Sequence, residues 1–143
     1  MSILNEANIV LNKKLENKTE AIKATGQILV DNGYVKQEYI EQMLKREELS
    51  STYMGNFIAI PHGTEEAKEA VIESGLSVIQ VPEGVDFGGG NIVKILIGIA
   101  GKGNEHLDIL SQIAIVCSEE ENVEKLVQAK SKEEILQLLS EVN

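Results

Sequence analysis

The stretch FIAIPHG, residues 57–63, carries an apolar run into a proline, a histidine and a glycine. Its first five residues predict a strand that is buried on both faces, as in a sheet with helices on each side. Pro61 fixes its own φ and biases Ile60 toward extended geometry, so the strand keeps its shape up to the turn. The stretch therefore predicts a strand that ends by presenting His62 on a rigid frame.

Apolar strands alternate with amphipathic helices on both sides of this stretch. Further strands are predicted over residues 8–12, 75–81 and 93–100, with Pro82 ending the second of these and residues 84–87 forming a loop. Helices are predicted over residues 17–32, 36–49 and 105–117, then in two short segments opened by Ser118 and Ser131. This alternation predicts an α/β fold in a single domain over residues 1–143, with a mixed, mainly parallel sheet and helices on both faces.

Composition excludes several classes of protein. The net charge of -10 argues against binding to nucleic acid or to an anionic membrane surface, because both demand clustered Lys and Arg. No apolar run approaches the roughly 18 residues of a membrane span, and the N-terminus lacks the features of a signal peptide. Cys117 is the only cysteine and lies in the apolar stretch IAIVC, so it is expected to be a core residue. We expect a soluble cytoplasmic protein without a metal or organic cofactor.

His62 has the surroundings of a nucleophile rather than of a packing residue. Gly63 places no side chain over the imidazole, and a neutral ring with one nitrogen held by a hydrogen bond can accept a phosphoryl group on the other. Arg46, the only arginine, follows at the end of the second predicted helix and could bind phosphate oxygens with its fork, or simply complete that helix terminus. His106, the only other histidine, stands just after a strand, where it either joins the same site or lies on the surface.

The longer stretches REELSSTYMGNFIAIPHGTEEAK, VPEGVDFGG, ILIGIAGKGNEHLDIL and SKEEILQLL carry a family resemblance over essentially the whole chain. The sequence resembles the enzyme IIA component of the bacterial phosphoenolpyruvate-dependent sugar phosphotransferase system, in its mannitol/fructose class. The segments PHGTEEAK and PEGV-F are more similar to the mannitol-specific branch than to the fructose branch.

The resemblance implies a phosphoryl carrier with named roles for three residues. His62 matches the histidine that takes the phosphoryl group from the phosphocarrier protein, as a tele-phosphohistidine, and passes it to the B domain of a mannitol permease. Arg46 matches the arginine that neutralises phosphate charge, and His106 matches the second histidine of the active site. Asn56 stands where some members carry a glutamate, so the sequence departs from the family pattern there. The residues alone leave the modified ring nitrogen open.

The organisation of the chain adds one more expectation. In some relatives the domain is fused to the permease, whereas this chain resembles a free-standing subunit that meets the permease by diffusion. Its negative charge then predicts fast encounter with basic partners, slowed by added salt. Three alternatives remain open: a regulatory module that signals by binding, fructose-type specificity, and a metal or small-ligand binder that uses His62 and His106.

Overall fold

The computed structural model describes residues 3–140, whose strands form one five-stranded sheet. The strands are β1 (Ile9–Val10), β2 (Tyr53–Gly55), β3 (Ile58–Ala59), β4 (Gly75–Asp86) and β5 (Ile92–Ala100). β5 lies at the centre of the order β1-β4-β5-β3-β2. The pairs β1–β4 and β3–β5 are parallel, and the pairs β4–β5 and β2–β3 are antiparallel. The predicted mixed sheet is therefore confirmed.

Helices cover both faces of this sheet, as predicted. They are α1 (Lys18–Asp31), α2 (Tyr39–Leu49), α3 (Glu105–Cys117), α4 (Glu120–Gln128) and α5 (Lys132–Leu138), with short 3-10 helices over Glu6–Asn8 and Glu65–Ala70. Along β5, Ile95 and Ile97 pack into the core beneath α3, α4 and α5, and Leu96 packs into the core beneath α1 and α2. Because side chains alternate across a strand, an unbroken apolar run is what two such cores require.

Two of the predicted helix starts are capped by side chains. Asn17 Oδ1 accepts a hydrogen bond from the backbone N–H of Glu20 at 2.9 Å, and Ser131 Oγ accepts one from Glu134 at 3.2 Å. Such caps satisfy backbone donors that have no partner within the helix. Gly33 follows α1 with φ of +80°, the left-handed geometry that favours glycine after a helix. Residues 1–2 and 141–143, which the predicted domain also includes, lie outside the described residues.

The second helix begins at Tyr39 instead of residue 36. Val35 forms an isolated antiparallel bridge with Val71, and the N–H of Lys36 donates to the Ala70 carbonyl at 2.8 Å. These bonds hold Val35 and Lys36 outside the helix, and a turn follows in which the N–H of Tyr39 donates to the Lys36 carbonyl at 3.0 Å. Tertiary pairing thus overrides the helical pattern at the start of the predicted segment.

The prediction that Pro82 ends its strand was wrong, because β4 continues to Asp86. Pairing with β5 shifts between Gln80 and Val85, and this irregularity accommodates the proline outside the regular ladder. Residues 84–86 are consequently strand residues, and Phe87 is a buried residue of the core.

The opening stretch begins to pair one residue later than predicted. Phe57 has φ of +65° and is 45% exposed, so it belongs to the turn between β2 and β3 and is not buried on both faces. Beyond β3 the extended course nevertheless continues, because His62 forms an isolated parallel bridge with Ile99 of β5. The strand thus delivers His62 to the sheet edge, as the sequence indicated.

The third predicted helix has its predicted bounds, but not every apolar residue of the pattern that predicted it is buried. Cys117 is buried, as expected, whereas Leu107 is 57% exposed and Ala114 is also exposed. Ser118 does not open the next helix, because its hydroxyl donates to the Ile115 carbonyl at 2.8 Å and so closes α3. Within residues 3–140, no helix combines the length and the apolar character needed to cross a bilayer.

Candidate functional site

A cleft of about 730 Å³ opens beside the ends of β3 and β5 and contains all three predicted site residues. His62 follows β3, His106 lies in the first turn of α3 beyond β5, and Arg46 lies in the last turn of α2. Because β3 and β5 are parallel, their carboxyl ends meet at one edge of the sheet. We call this space the His62 cleft.

The backbone of β5 and the residue before Pro61 together fix the orientation of His62. The Pro61 carbonyl accepts a hydrogen bond from the N–H of Ile99 at 2.9 Å, and His62 Nδ1 lies 2.8 Å from the Ile60 carbonyl oxygen. A carbonyl oxygen can only accept, so Nδ1 carries the hydrogen and donates it. The neutral ring then keeps its lone pair on Nε2.

The surroundings of His62 favour its neutral form. The ring of His62 is partly buried, and this burial lowers the pKa of His62 below 6.5, although the hydrogen bond to the Ile60 carbonyl opposes this effect. The charges of Arg46 and His106 lower the pKa further, and that of Glu47 raises it. The net direction is downward, so the imidazole is an available nucleophile near pH 7.

A buried tyrosine that the sequence analysis missed holds the turn after His62. The Tyr39 hydroxyl accepts from the N–H of Gly63 at 2.9 Å and donates to the Ile99 carbonyl at 2.8 Å. Burial raises the pKa of Tyr39 to about 12, so the phenol keeps its proton. A Cβ on residue 63 would lie 2.6 Å from the Tyr39 ring, so the structure requires glycine there for packing as well as for access.

Arg46 fulfils the structural role left open for it and also lines the cleft. Its Nη1 donates to the carbonyl of Ser50 at 2.8 Å and to the Ser50 hydroxyl at 3.2 Å, which satisfies acceptors at the end of α2. The adjacent Glu47 is buried and its Oε1 accepts from both the N–H and the hydroxyl of Thr52, at 3.0 and 2.6 Å. These bonds fix the segment from which Arg46 reaches the cleft.

His106 is placed by a glycine and held by longer contacts. A Cβ on Gly101 would overlap the backbone of His106, so glycine lets the start of α3 approach the end of β5. His106 Nδ1 lies 3.3 Å from the Gly103 carbonyl oxygen, and Nε2 lies 3.6 Å from Oε1 of Glu65. The second histidine is therefore within the cleft, beside a carboxylate that the sequence analysis did not single out.

Asn56 does not line the His62 cleft. It has φ of +50° in the turn between β2 and β3, and its amide lies 3.3 Å from the Cys117 carbonyl oxygen and 3.5 Å from that of Ser118. The position where some family members carry a glutamate thus contacts the end of α3 in this chain. Among residues 3–140, no group of three or more His, Cys, Asp or Glu side chains is arranged to hold a metal ion.

Comparisons with known proteins show which sequences and structures this chain is similar to. The mannitol-specific phosphotransferase enzyme IIA component of Geobacillus stearothermophilus is 68% identical over 143 residues, covering 100% of this chain and 99% of the relative. The component of the same name from Bacillus subtilis is 62% identical and covers 100% of both chains. Among solved structures, Escherichia coli enzyme IIA for mannitol, in complex with phosphorylated enzyme IIB, superposes with a TM-score of 0.91 at 41% identity. That match covers 96% of this chain and 97% of the other.

The whole described chain also falls within one family model. This model, for the phosphoenolpyruvate-dependent sugar phosphotransferase system EIIA 2, matches residues 2–142. The chain therefore belongs to the EIIA 2 family of the phosphoenolpyruvate-dependent sugar phosphotransferase system.

Proposed function

We propose that this protein is a phosphoryl carrier that accepts its phosphoryl group on Nε2 of His62, the tele nitrogen. The observation that carries the proposal is the 2.8 Å hydrogen bond from His62 Nδ1 to the Ile60 carbonyl. It occupies one ring nitrogen as a donor and leaves the other as the nucleophile, and His62 lines a cleft large enough for a phosphoryl group. The lowered pKa of His62 keeps that lone pair available at neutral pH.

The transfer step forms one bond and breaks one. The Nε2 lone pair attacks phosphorus in line, and the bond between phosphorus and the donor atom of the phosphocarrier protein breaks, leaving its electron pair on that carrier. The ring acquires positive charge while Nδ1 keeps its hydrogen. The Ile60 carbonyl then stabilises the phosphoimidazolium that results. Transfer to the next acceptor is the same displacement in reverse.

Arg46 and His106 stabilise charge on the phosphoryl oxygens in this proposal. Both line the His62 cleft, and both carry N–H donors that can approach the transferred group. The Arg46 contacts described above use Nη1, so its remaining guanidinium donors can reach the oxygens without disrupting the end of α2. His106 shapes the site and is not the acceptor.

The comparisons support mannitol as the sugar. Two relatives named mannitol-specific share 68% and 62% identity with this chain. The phosphoryl group would then come from the phosphocarrier protein and pass to the B domain of a mannitol permease, as the complex with phosphorylated enzyme IIB suggests. We further propose that residues 1–143 form one domain and that the protein works in the cytoplasm.

Intact mass spectrometry tests the acceptor. The protein is incubated with phosphoenolpyruvate, enzyme I and the phosphocarrier protein, and its mass is read at alkaline pH because phosphohistidine is acid-labile. We expect one phosphoryl group on wild type and on His106→Ala, and none on His62→Ala. A folded wild type that gains no mass would contradict the proposal.

A second assay tests the permease step. Wild type is combined with membranes that contain a mannitol permease lacking its own A domain, and phosphorylation of mannitol is measured. A parallel assay measures phosphorylation of fructose with membranes that contain a fructose permease. We expect mannitol phosphate only. A protein that is phosphorylated on His62 but supports neither sugar would be a regulatory module instead.

A further inference from the structure

Glu65 is the acidic side chain in closest contact with the predicted site residues of the His62 cleft. It begins the 3-10 helix Glu65–Ala70, three residues after His62, and its carboxylate lies between two cations or potential cations. Oε1 is 3.6 Å from His106 Nε2, and Oε2 is 3.8 Å from Lys68 Nζ. A negative charge therefore lines the cleft in which the proposed function requires a phosphoryl dianion to be received.

Both contacts of Glu65 are loose. Each distance exceeds that of a direct hydrogen bond, and the side chain is 76% exposed, so it can change rotamer at small cost. His106 is less mobile, since its side chain is only 20% exposed and Gly101 packs against its backbone. When a competing anion enters the cleft, Glu65 is the group that can move, and Lys68 provides a contact to which it can turn.

Resting on the proposed function, we propose that Glu65 is a positioning residue that holds His106 in the unphosphorylated protein and is displaced when His62 is phosphorylated. In the empty cleft, the carboxylate is the acceptor that faces Nε2 of His106. In the phosphorylated protein, the phosphoryl oxygens replace it as that acceptor. Unlike the 2.8 Å bond of His62, the 3.3 Å contact between His106 Nδ1 and the Gly103 carbonyl does not fix the tautomer, and the Glu65 carboxylate favours a hydrogen on Nε2. Glu65 thereby accepts from this N–H until the phosphoryl group arrives.

Displacement has an energetic consequence for the carrier. Glu65 and the phosphoryl group carry like charges within one cleft, so the carboxylate raises the free energy of the phosphorylated state relative to the empty one. A less stable phosphohistidine is a better phosphoryl donor. Glu65 thus favours onward transfer at the expense of phosphoryl retention, and its removal should reverse this balance.

The equilibrium of phosphoryl exchange with the phosphocarrier protein tests this consequence. We expect Glu65→Gln to shift the equilibrium toward the phosphorylated chain by about threefold at low salt, and by less at high salt, as for other exposed charge interactions. The matched control is Glu69→Gln, which removes the same charge from an exposed position of the same 3-10 helix that does not line the cleft. Equal shifts in both variants would overturn the inference, since they would reflect net charge alone.

Nitrogen-15 spectra of the His106 ring test the contact independently. We expect Glu65→Gln to move the His106 ring resonances in the unphosphorylated protein and to leave those of the phosphorylated protein nearly unchanged. Glu69→Gln should move neither. Unchanged His106 resonances in unphosphorylated Glu65→Gln would overturn the inference while leaving the proposed function intact. A wild type that takes no phosphoryl group would overturn the displacement and the proposed function together.

Discussion

The two histidines of the His62 cleft are held in different ways. His62 is held by hydrogen bonds of 2.8 to 2.9 Å in which backbone groups of Ile60, Pro61 and Gly63 take part. His106 has contacts of 3.3 and 3.6 Å, one to a nearby loop carbonyl and one to an exposed carboxylate. A ring that must present one particular nitrogen is fixed by the main chain in advance, whereas a ring that only donates to the arriving group can stay adjustable.

The largest effect that would sharpen this comparison is expected from His106→Ala. Losing one donor to the transferred group should slow phosphoryl transfer by about 10²-fold, while the final extent of phosphorylation stays complete. Rapid-quench kinetics with the phosphorylated phosphocarrier protein would measure the rate. If His106→Ala transfers at the wild-type rate, the second histidine has no role in transfer and the comparison fails.

A smaller effect, on stability, is expected from Tyr39→Phe. The change removes the acceptor for Gly63 N–H and the donor to the buried Ile99 carbonyl, so unfolding should become easier by about 1–3 kcal/mol. Urea denaturation gives this free energy. Tyr53→Phe, at a half-buried position of β2, is the control and should change it by less than about 0.5 kcal/mol. Equal losses in the two variants would show that the Tyr39 hydroxyl does not hold the His62 turn.

The smallest effect is a displacement of the pH profile. The folded pKa of His62 is lowered from 6.5, so its neutral, nucleophilic form persists as pH falls to 6.5, and the transfer rate should decline only below that pH. Because the pKa of His62 is lower in the folded chain than in the unfolded chain, the unfolded chain binds the proton more readily, and unfolding is favoured as pH falls below 6.5. Arg46→Gln removes a charge that lowers this pKa, so the midpoint should move upward. Proton NMR titration of His62 would report it, and an unchanged or lower midpoint would contradict the assignment.

Features that depend on local sequence were predicted, whereas those that depend on contacts between distant segments were not. A continuous apolar run predicted the central strand over residues 93–100, and β5 spans Ile92–Ala100. The capping residue Asn17 predicted the start of α1. These signals are local. The course of β4 through Pro82 depends on an irregular pairing with β5, which no pattern within β4 reveals.

The site shows the same limit. His62, Arg46 and His106 were predicted, and the structure brings them into one cleft. Tyr39 was missed because its hydroxyl bonds to residues 24 and 60 positions away along the chain. Glu65 was missed, since its proximity to His106 arises only when β3 and β5 lie side by side.

In the proposed mechanism, the bond between His62 Nδ1 and the Ile60 carbonyl reserves Nε2 for the phosphoryl group. Long-range ¹H–¹⁵N correlation spectra of the phosphorylated protein, recorded with phosphorus coupling, identify the nitrogen bonded to phosphorus. We expect phosphorus on Nε2 and a hydrogen retained on Nδ1. Phosphorus on Nδ1 would contradict it, because that nitrogen could form the new bond only after giving up the Ile60 carbonyl.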